Sequence, residues 1–316
     1  MSSSQVMSLV KINFDDVLND SRDGVSTRFN TCFHPMSHIP DLSRPSEAPT
    51  SFSRWLPLIM RTRHLKPEAA QIIRFTPAQV KLIAQASHCS ATTGEITQAH
   101  EEDLRAEILT ALSSLKFPPE GLFMRLDRVS PKDGTSTVPG KLPLHSEFEI
   151  ILRLITSQRS HDVMMNRLES GESAIGVTFL PFNDRMESRR EYRSYCAPGS
   201  GVITAVSQYC WHKPWLLAGT QPQNLMEVVG RIWQGIRDIH RQIMRELDLT
   251  EKLDCLLLKQ GFSFDVFYDE GKDAFQLVEL NVSGARSGCG SCLFHWINDF
   301  DLLYGDGKNV QFRVAF

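Results

Sequence analysis

The amino-acid sequence predicts an α+β protein in which helices and antiparallel hairpins follow one another without a regular βαβ order. Its 316 residues are 41% hydrophobic and 22% charged, which is ordinary for a folded globular chain. Residues 190–209 and 261–281 each read as two strands joined by a short turn that contains glycine. Such clustered hairpins between helical segments favour α+β over a doubly wound parallel sheet.

Composition excludes several classes of function. The net charge of −3 gives no general attraction for nucleic acid or for an anionic membrane. We find no run of eighteen apolar residues and no secretory signal at the N-terminus, so we expect a soluble, cytoplasmic protein. The seven scattered cysteines favour reduced thiols, and Cys289 and Cys292 lack the second pair that a structural zinc site needs. We interpret them as structural or incidental thiols.

The chain begins with an N-terminal extension. Residues 34–54 contain four prolines and many serines, which predicts an exposed linker between this extension and the main body. Apolar spacing and a capping box at Ser146 and Glu149 then predict helices and short buried strands in alternation. The predicted helices cover 77–86, 99–115, 146–158 and 224–247, the predicted strands 121–127 and 175–182, and a loop residues 130–141.

Oxygen-bearing side chains gather at one end of the last hairpin. Glu279 and Asn281 are two residues apart and therefore share a strand face, and Asp265 lies on the preceding strand. Carboxylate and amide oxygens suit Mg²⁺, which proteins usually hold with one or two carboxylates and a nucleotide's phosphates. The sequence leaves an alternative open, in which Asp265 faces solvent and the other two residues begin a turn.

Basic residues on separate strands and loops are candidates for phosphate contacts. Arg125 and Arg193 lie inside predicted strands, and Lys132 follows in a loop. Arginine offers forked donors to phosphate and lysine a point charge. Each arginine has a local acid two residues away, Asp127 or Glu191, so pairing with that acid is an equal alternative.

Other motifs are weaker. The chain contains no Walker, Rossmann or hydrolase-elbow pattern. The segment "GARSGCGS", residues 284–291, could bind an anion through backbone N–H groups, but a plain flexible loop is the alternative that the pattern favours.

Four segments in this order resemble the cell division cycle 123 family, a divergent branch of the ATP-grasp fold. They are "SFSRWLP", "LFMRLDRVSPKDG", "EYRSYC" and "GFSFDVFYDEGKDAFQLVELNVSG", and the resemblance runs from about Ser51 to Trp296. The last segment is the most specific, because the family's closing hairpin places an Asp on one strand and an acid-x-Asn on the next to bind Mg²⁺ and nucleotide.

The resemblance implies a two-lobed ATP-grasp-like fold in which nucleotide lies between antiparallel sheets. Residues 1–50 would be an extension and linker, 51–180 the N-terminal lobe, and 181–316 the C-terminal lobe with the metal-binding hairpin. ATP and Mg²⁺ are the implied cofactors. Metal would be bound by Asp265, Glu279 and Asn281. The implied ATP-binding residues are Arg125, Lys132 and Arg193 at the phosphates and Phe179, Leu180, Pro181 and Phe182 near adenine.

The departures from the family pattern matter for function. Arg125 stands where the family usually has Lys, and Glu279-Leu280-Asn281-Val282 replaces Asp-Phe-Asn-Pro before the changed loop. They favour an ATP-dependent carboxylate–amine ligase that joins a small-molecule acid and amine through an acylphosphate. Ser283 and Arg286 are then candidates for binding the substrate carboxylate. The alternative is the role of the family's eukaryotic members, which act as ATP-binding assembly chaperones of translation initiation factor two.

Overall fold

A computed structural model describes residues 5–22, 24, 26–40, 42–137, 142–171 and 174–316. Residues 1–4, 23, 25 and 41 of the predicted N-terminal extension, and residues 138–141 of the predicted loop, lie outside this description. The chain divides into two compact units, described separately below. Unit 1 comprises residues 1–64 and 185–316, and unit 2 comprises residues 65–184.

The secondary structure is mixed, as the sequence predicts. In chain order the strands are β1 (Val6–Ile12), β2 (Gln71–Phe75), β3 (Leu122–Leu126), β4 (Ile175–Pro181), β5 (Glu191–Cys196), β6 (Ile203–Gln208), β7 (Phe262–Asp269), β8 (Ala274–Val282) and β9 (Asn309–Ala315). The helices are α1 (Phe14–Ser21), α2 (Phe52–Thr62), α3 (Pro77–Thr93), α4 (Gln98–Asp103), α5 (Thr110–Leu112), α6 (Glu147–Thr156), α7 (Gln158–Glu169), α8 (Pro222–Glu246), α9 (Lys252–Gln260) and α10 (Phe300–Leu303). A π-helical stretch, Leu104–Leu109, joins α4 to α5. Within the described chain no helix is both long and apolar enough to cross a membrane.

Unit 1 is built on a sheet that contains six strands among the described residues, in the order β1-β9-β6-β5-β7-β8. The two predicted hairpins are confirmed, since β5 pairs antiparallel with β6 and β7 with β8. Every residue of β7 is buried, and α8 carries the predicted apolar stripe, with Val229, Ile232 and Ile236 fully buried. Burying this stripe supplies most of the stability of such a helix, because its intrinsic propensity alone is weak.

The N-terminal residues belong to unit 1. β1 pairs parallel with β9 over its whole length, from Val6 opposite Asn309 to Ile12 opposite Ala315. Within the proline-rich segment, Pro49 is buried, and its carbonyl accepts a hydrogen bond from Trp55 Nε1 at 2.9 Å. The described part of residues 1–50 therefore contributes a strand and packed contacts to the unit that contains the β7–β8 hairpin.

Unit 2 contains an antiparallel sheet of three described strands, in the order β2-β4-β3, with α3, α6 and α7 in contact with one another. The predicted cap of α6 is present: Ser146 Oγ accepts from the Glu149 N–H at 3.3 Å. The Glu149 carboxylate in turn accepts from the N–H of His145 at 2.5 Å, one residue before the cap. The predicted helix 99–115 is realised as three consecutive helical pieces that end at Leu112.

A close contact between α8 and β8 gives a test of this packing. An ideal Cβ built on Gly235 would lie 2.3 Å from Phe275 Cδ2, whereas a Cβ on Gly230 would have no atom within 4 Å. Gly235→Ala should lower the free energy of unfolding by about 1–3 kcal/mol, because the added methyl group would displace the Phe275 ring from its stacking on Tyr268. Gly230→Ala is the matched control and should raise it by up to about 1 kcal/mol. Urea unfolding of both variants measures this, and equal effects would contradict the contact.

Candidate functional site

The β7–β8 hairpin brings the predicted oxygen donors together. Asp265 lies opposite Glu279 in the register, and Asn281 lies opposite Ser263. The Asn281 Nδ2 amide donates to Asp265 Oδ2 at 3.1 Å. Asp265 is fully buried, so the alternative in which it faces solvent does not hold.

A β-bulge sets which side chains face Asp265. The register shifts between Asp265 and Val266, whose partners are Glu279 and Leu277, so Val278 is the extra residue on β8. A bulge re-aims the side chains that follow it. The end of α2 satisfies the backbone here: Thr62 Oγ1 accepts from the Leu277 N–H at 3.0 Å, and Arg63 donates to the Leu277 and Val278 carbonyls at 3.2 Å.

Arg193 forms a buried two-pronged ion pair with Asp265. β5 places these residues opposite each other, and Nε and Nη2 donate to the two carboxylate oxygens at 2.8 Å each. The guanidinium also donates through Nη1 to the Gly290 carbonyl at 3.0 Å and to Cys289 Sγ at 3.1 Å. The Tyr209 ring lies 4.9 Å from its central carbon. Arg193 therefore contacts an acid on the adjacent strand in addition to any local interaction.

The electrostatics of this cluster follow from burial and from the paired charges. Burial alone would lower the pKa of Arg193, but Asp265 raises it well above its ordinary value, so the guanidinium stays charged. Burial raises the pKa of the Asp265 carboxyl, and the facing Glu279 raises it further, while Arg193 opposes both. Two acids and one arginine thus share a low-dielectric site, which a further positive charge would stabilise.

The donor set suits Mg²⁺ in its chemistry. Two carboxylates and an amide lie on paired strands, and a hard cation of this type needs few protein ligands. Asp265 already accepts hydrogen bonds from Arg193 and Asn281. Glu279 and Asn281 are half-buried residues, although the Oε2 atom of Glu279 is itself buried. Among the described residues no group of three His, Cys, Asp or Glu side chains could hold a metal, but the predicted set has only two such residues. The three metal ligands stay a prediction.

The loop after β8 is held by the N-terminal region. We call residues 284–292 the glycine-rich loop and residues 30–34 the N-terminal clamp. The Asn30 N–H donates to the Cys292 carbonyl at 2.6 Å, and the His34 N–H donates to the Ala285 carbonyl at 2.8 Å. Gly288 and Gly290 lie against this clamp, since an ideal Cβ on them would be 2.6 Å from Phe33 Cζ and 2.1 Å from Asn30 Oδ1.

These contacts bear on both interpretations of the glycine-rich loop. The N–H groups of Ala285, Cys289, Ser291 and Cys292 all donate to protein acceptors, so these four are not presented to an anion. The same hydrogen bonds hold the loop against its neighbours, which argues against a plain flexible loop. Arg286, a predicted contact of a substrate carboxylate, donates through Nη1 to the Leu42 carbonyl at 2.8 Å. Ser283, the other predicted contact, is half-buried and lies between β8 and the loop.

The two cysteines of the loop are free and buried. Burial raises the pKa of Cys289 and raises that of Cys292 to about 12, although Arg193 opposes the shift in both. Protonated, buried thiols are poor nucleophiles and poor metal ligands. This agrees with their interpretation as structural thiols.

The remaining predicted ATP-binding residues belong to unit 2. Arg125 is buried in β3 opposite Thr178, and Lys132 is exposed in the following loop. The Phe179 and Leu180 side chains are buried, so a nucleotide beside them would contact their backbone. Pro181 and Phe182 are half-buried. All of these residues remain predicted nucleotide contacts within their unit.

Sequence reasoning missed the residues that support the cluster from the N-terminal region. Thr31 is the central one, with hydrogen bonds to Ser291 and to the Trp296 N–H. His34 was missed as well; its ring lies 5.2 Å from that of His295 and 6.2 Å from that of His38, measured between ring centroids. Apart from His38, the partners are distant along the chain, since Thr31 is separated from Ser291 by 260 residues and from Trp296 by 265. No local pattern marks such contacts.

The buried ion pair leads to a stability prediction. Arg193→Met leaves the Asp265 carboxylate buried without its partner and should lower the free energy of unfolding by about 3–5 kcal/mol. Arg193→Met combined with Asp265→Leu should recover much of that loss. The control is Arg105→Met, because the exposed Arg105–Glu101 pair has the same 2.8 Å separation but should contribute less than about 1 kcal/mol. Similar losses in both single variants, measured by urea unfolding, would contradict the assignment.

The histidine cluster leads to a prediction on pH. Burial, then His295 and His38, lower the pKa of His34 from its ordinary value of 6.5, so the unfolded chain binds the proton more readily. The contribution of His34 to the free energy of unfolding should therefore be fully present above pH 6.5. It should be lost as the pH falls through that value towards the lower pKa of the folded protein. His34→Gln should lose less stability than the wild type between about pH 7.5 and 5.5. Thermal unfolding at both pH values tests this, and equal losses would contradict it.

Comparisons with known proteins place the fold. No protein-family model and no curated protein matches the sequence. The structure is similar to that of Cdc123 from Schizosaccharomyces pombe, with a TM-score of 0.56 and 18% sequence identity over 84% of this chain and 95% of that chain. The C-terminally truncated Cdc123 from the same organism gives a TM-score of 0.56 and 19% identity, over 84% and 96% of the two chains. At this level of identity the likeness concerns the fold and not the function. The chain therefore has the fold of Cdc123, and the resemblance read from its motifs is confirmed at the level of the fold.

Proposed function

We propose that this protein binds ATP with Mg²⁺ and serves as an assembly chaperone for a subunit of translation initiation factor two. The observation that carries the proposal is the fold shared with Cdc123 over 95% of that chain. Four sequence segments that resemble the chaperone family in the same order add to it. The findings thus favour the chaperone over the ligase that the sequence departures had suggested.

In this proposal the β7–β8 hairpin is the metal-binding part of the nucleotide site. Glu279 and Asn281 would hold Mg²⁺, and Asp265 would join them or act by orienting the Asn281 amide, to which it is hydrogen-bonded at 3.1 Å. When bound, the metal neutralises phosphate charge. Arg193 keeps a permanent positive charge beside the hairpin, and Asp265 fixes its orientation through two hydrogen bonds. Arg125 and Lys132 are proposed phosphate contacts of unit 2.

The second candidate is the carboxylate–amine ligase, and its support comes from the altered residues around Glu279 and in the glycine-rich loop. Two observations weaken that support. One donor of Arg286 is already used on the Leu42 carbonyl, and Gly288 and Gly290 lie where the N-terminal clamp approaches most closely. Packing inside the protein therefore explains those glycines without a small-molecule acid or amine.

ATP affinity tests the nucleotide site. Wild-type protein should bind ATP in the presence of Mg²⁺. Glu279→Gln and Asn281→Leu should each weaken binding about tenfold or more, because the first removes the negative charge of a metal ligand and the second removes an oxygen ligand. Lys272→Gln is the matched control, since Lys272 is exposed in the turn of the same hairpin. Isothermal calorimetry measures all four proteins, and unchanged affinity in both site variants would contradict the metal-ligand assignment.

The same proteins distinguish the two candidate functions. A chaperone should co-purify with an initiation factor two subunit and lose that partner in Asn281→Leu, and it should release no ADP with mixtures of organic acids and amines. ADP release that requires both an acid and an amine would favour the ligase instead. If the protein binds ATP but neither co-purifies with an initiation factor subunit nor releases ADP, both candidate functions are wrong, although the nucleotide site is supported.

A further inference from the structure

We propose that the N-terminal clamp is a positioning element of the candidate site, which is incomplete without it. The clamp fixes the glycine-rich loop, and the loop in turn holds the Arg193 guanidinium in place against Asp265. The expected effect of the clamp on nucleotide binding rests on the proposed function. The role of the clamp in holding the loop rests only on contacts within unit 1.

Thr31 is the centre of the clamp. Its N–H donates to Ser291 Oγ at 2.9 Å, and its carbonyl accepts from the Ser291 N–H at 3.2 Å. Its hydroxyl oxygen accepts from the Trp296 N–H at 3.1 Å. The residue is only 8% exposed, so these groups would lose hydrogen bonds without gaining water if the clamp were altered.

The clamp and the loop run antiparallel over their whole contact. Asn30 meets Cys292, Thr31 meets Ser291, Phe33 meets Ser287 and His34 meets Ala285 through hydrogen bonds that involve the main chain. Asn30 adds its side-chain oxygen, which accepts from the Cys292 N–H at 3.2 Å. The progression of partners fixes the register of the loop, since a slip by one residue would break every pair at once. Gly288 and Gly290 permit the approach that this register requires.

The loop passes this constraint to Arg193. The Gly290 carbonyl and Cys289 Sγ both accept from Nη1, while Trp296 Nε1 donates to the Cys289 carbonyl at 3.0 Å. Cys289 is therefore held by Trp296, whose N–H is bound by Thr31, and Gly290 lies against Asn30, while both residues contact the guanidinium. Nε and Nη2 are occupied by Asp265, so all three nitrogens of Arg193 have fixed acceptors. Supporting contacts of this kind hold a binding group in its productive orientation.

The consequence is specific to the hydroxyl of Thr31. Thr31→Val keeps the volume of the side chain but removes the acceptor of the Trp296 N–H, and it should loosen residues 289–292. Thr31→Ser keeps the hydroxyl and should behave as the wild type. Ser37→Ala is the control for the N-terminal region, since Ser37 is exposed three residues after the clamp. Thermal unfolding checks that every variant is folded.

Two measurements test the inference. Iodoacetamide labelling, mapped by mass spectrometry in the full chain without nucleotide, should modify Cys289 at least several-fold faster in Thr31→Val than in the wild type, in Thr31→Ser or in Ser37→Ala. Calorimetry should show weaker ATP–Mg²⁺ binding in Thr31→Val and restored binding in Thr31→Ser. If Thr31→Val does not fold, Asn30→Gly replaces it, because glycine suits the φ of +49° at this position and removes the contact with the Cys292 N–H.

The possible outcomes separate the structural role of the clamp from its role in nucleotide binding. If Cys289 in Thr31→Val is labelled at the same rate as in the wild type, the clamp does not hold the loop and the inference is wrong. Faster labelling with unchanged ATP affinity would overturn its role in the site. A wild-type protein that does not bind ATP would overturn the proposed function, and the labelling comparison would still decide whether the clamp holds the loop.

Discussion

The buried ion pair between Arg193 and Asp265 is the interaction on which the candidate site depends. Both side chains are nearly or fully buried, and each donor of the guanidinium is directed at a specific acceptor. A buried pair of this kind is a weak source of stability, because desolvation offsets much of the attraction between the charges. The pair lies in the middle of two buried strands that also carry Ser194 and Ser263, and the proposed site would account for its presence there. Asp265 orients both the positive charge of Arg193 and the amide of Asn281.

The sequence was sufficient to predict contacts between neighbouring residues and contacts that follow from the two-residue repeat of a β-strand. The hairpin turn and the two-residue spacing predicted that Asp265, Glu279 and Asn281 would lie together, and they do. The spacing did not reveal the bulge at Val278, because a bulge depends on how the partner strand and α2 satisfy the backbone. The two-residue spacing also suggested Glu191 as an ion-pair partner of Arg193. The Asp265 contact arises from the pairing of β5 with β7, across a separation of 72 residues.

The N-terminal region shows the same limit more strongly. The prolines and serines of residues 34–54 predict an exposed linker, and many of these side chains are exposed, but Pro49, Thr50 and Phe52 are buried. Before this segment, β1 pairs with β9, and Thr31 is buried against Ser291 and Trp296. Composition describes the solvent-facing side of such a segment but not the main-chain hydrogen bonds on its other side. Those bonds depend on a loop at the opposite end of the chain, and no spacing within the segment encodes them.

In the sequence, the changed loop after Asn281 was the main argument for a ligase with a small-molecule substrate. The geometry of the loop weakens that argument. A Cβ on Gly288 or Gly290 would meet the side chain of Phe33 or of Asn30, and Arg286 donates to the Leu42 carbonyl. The loop and the N-terminal region therefore fit each other, which accounts for a departure from the family pattern without any change of ligand. Glu279 in place of Asp and Arg125 in place of Lys are departures that this packing does not explain. Since Glu keeps the carboxylate and only lengthens its reach, it is compatible with the same metal and the same nucleotide.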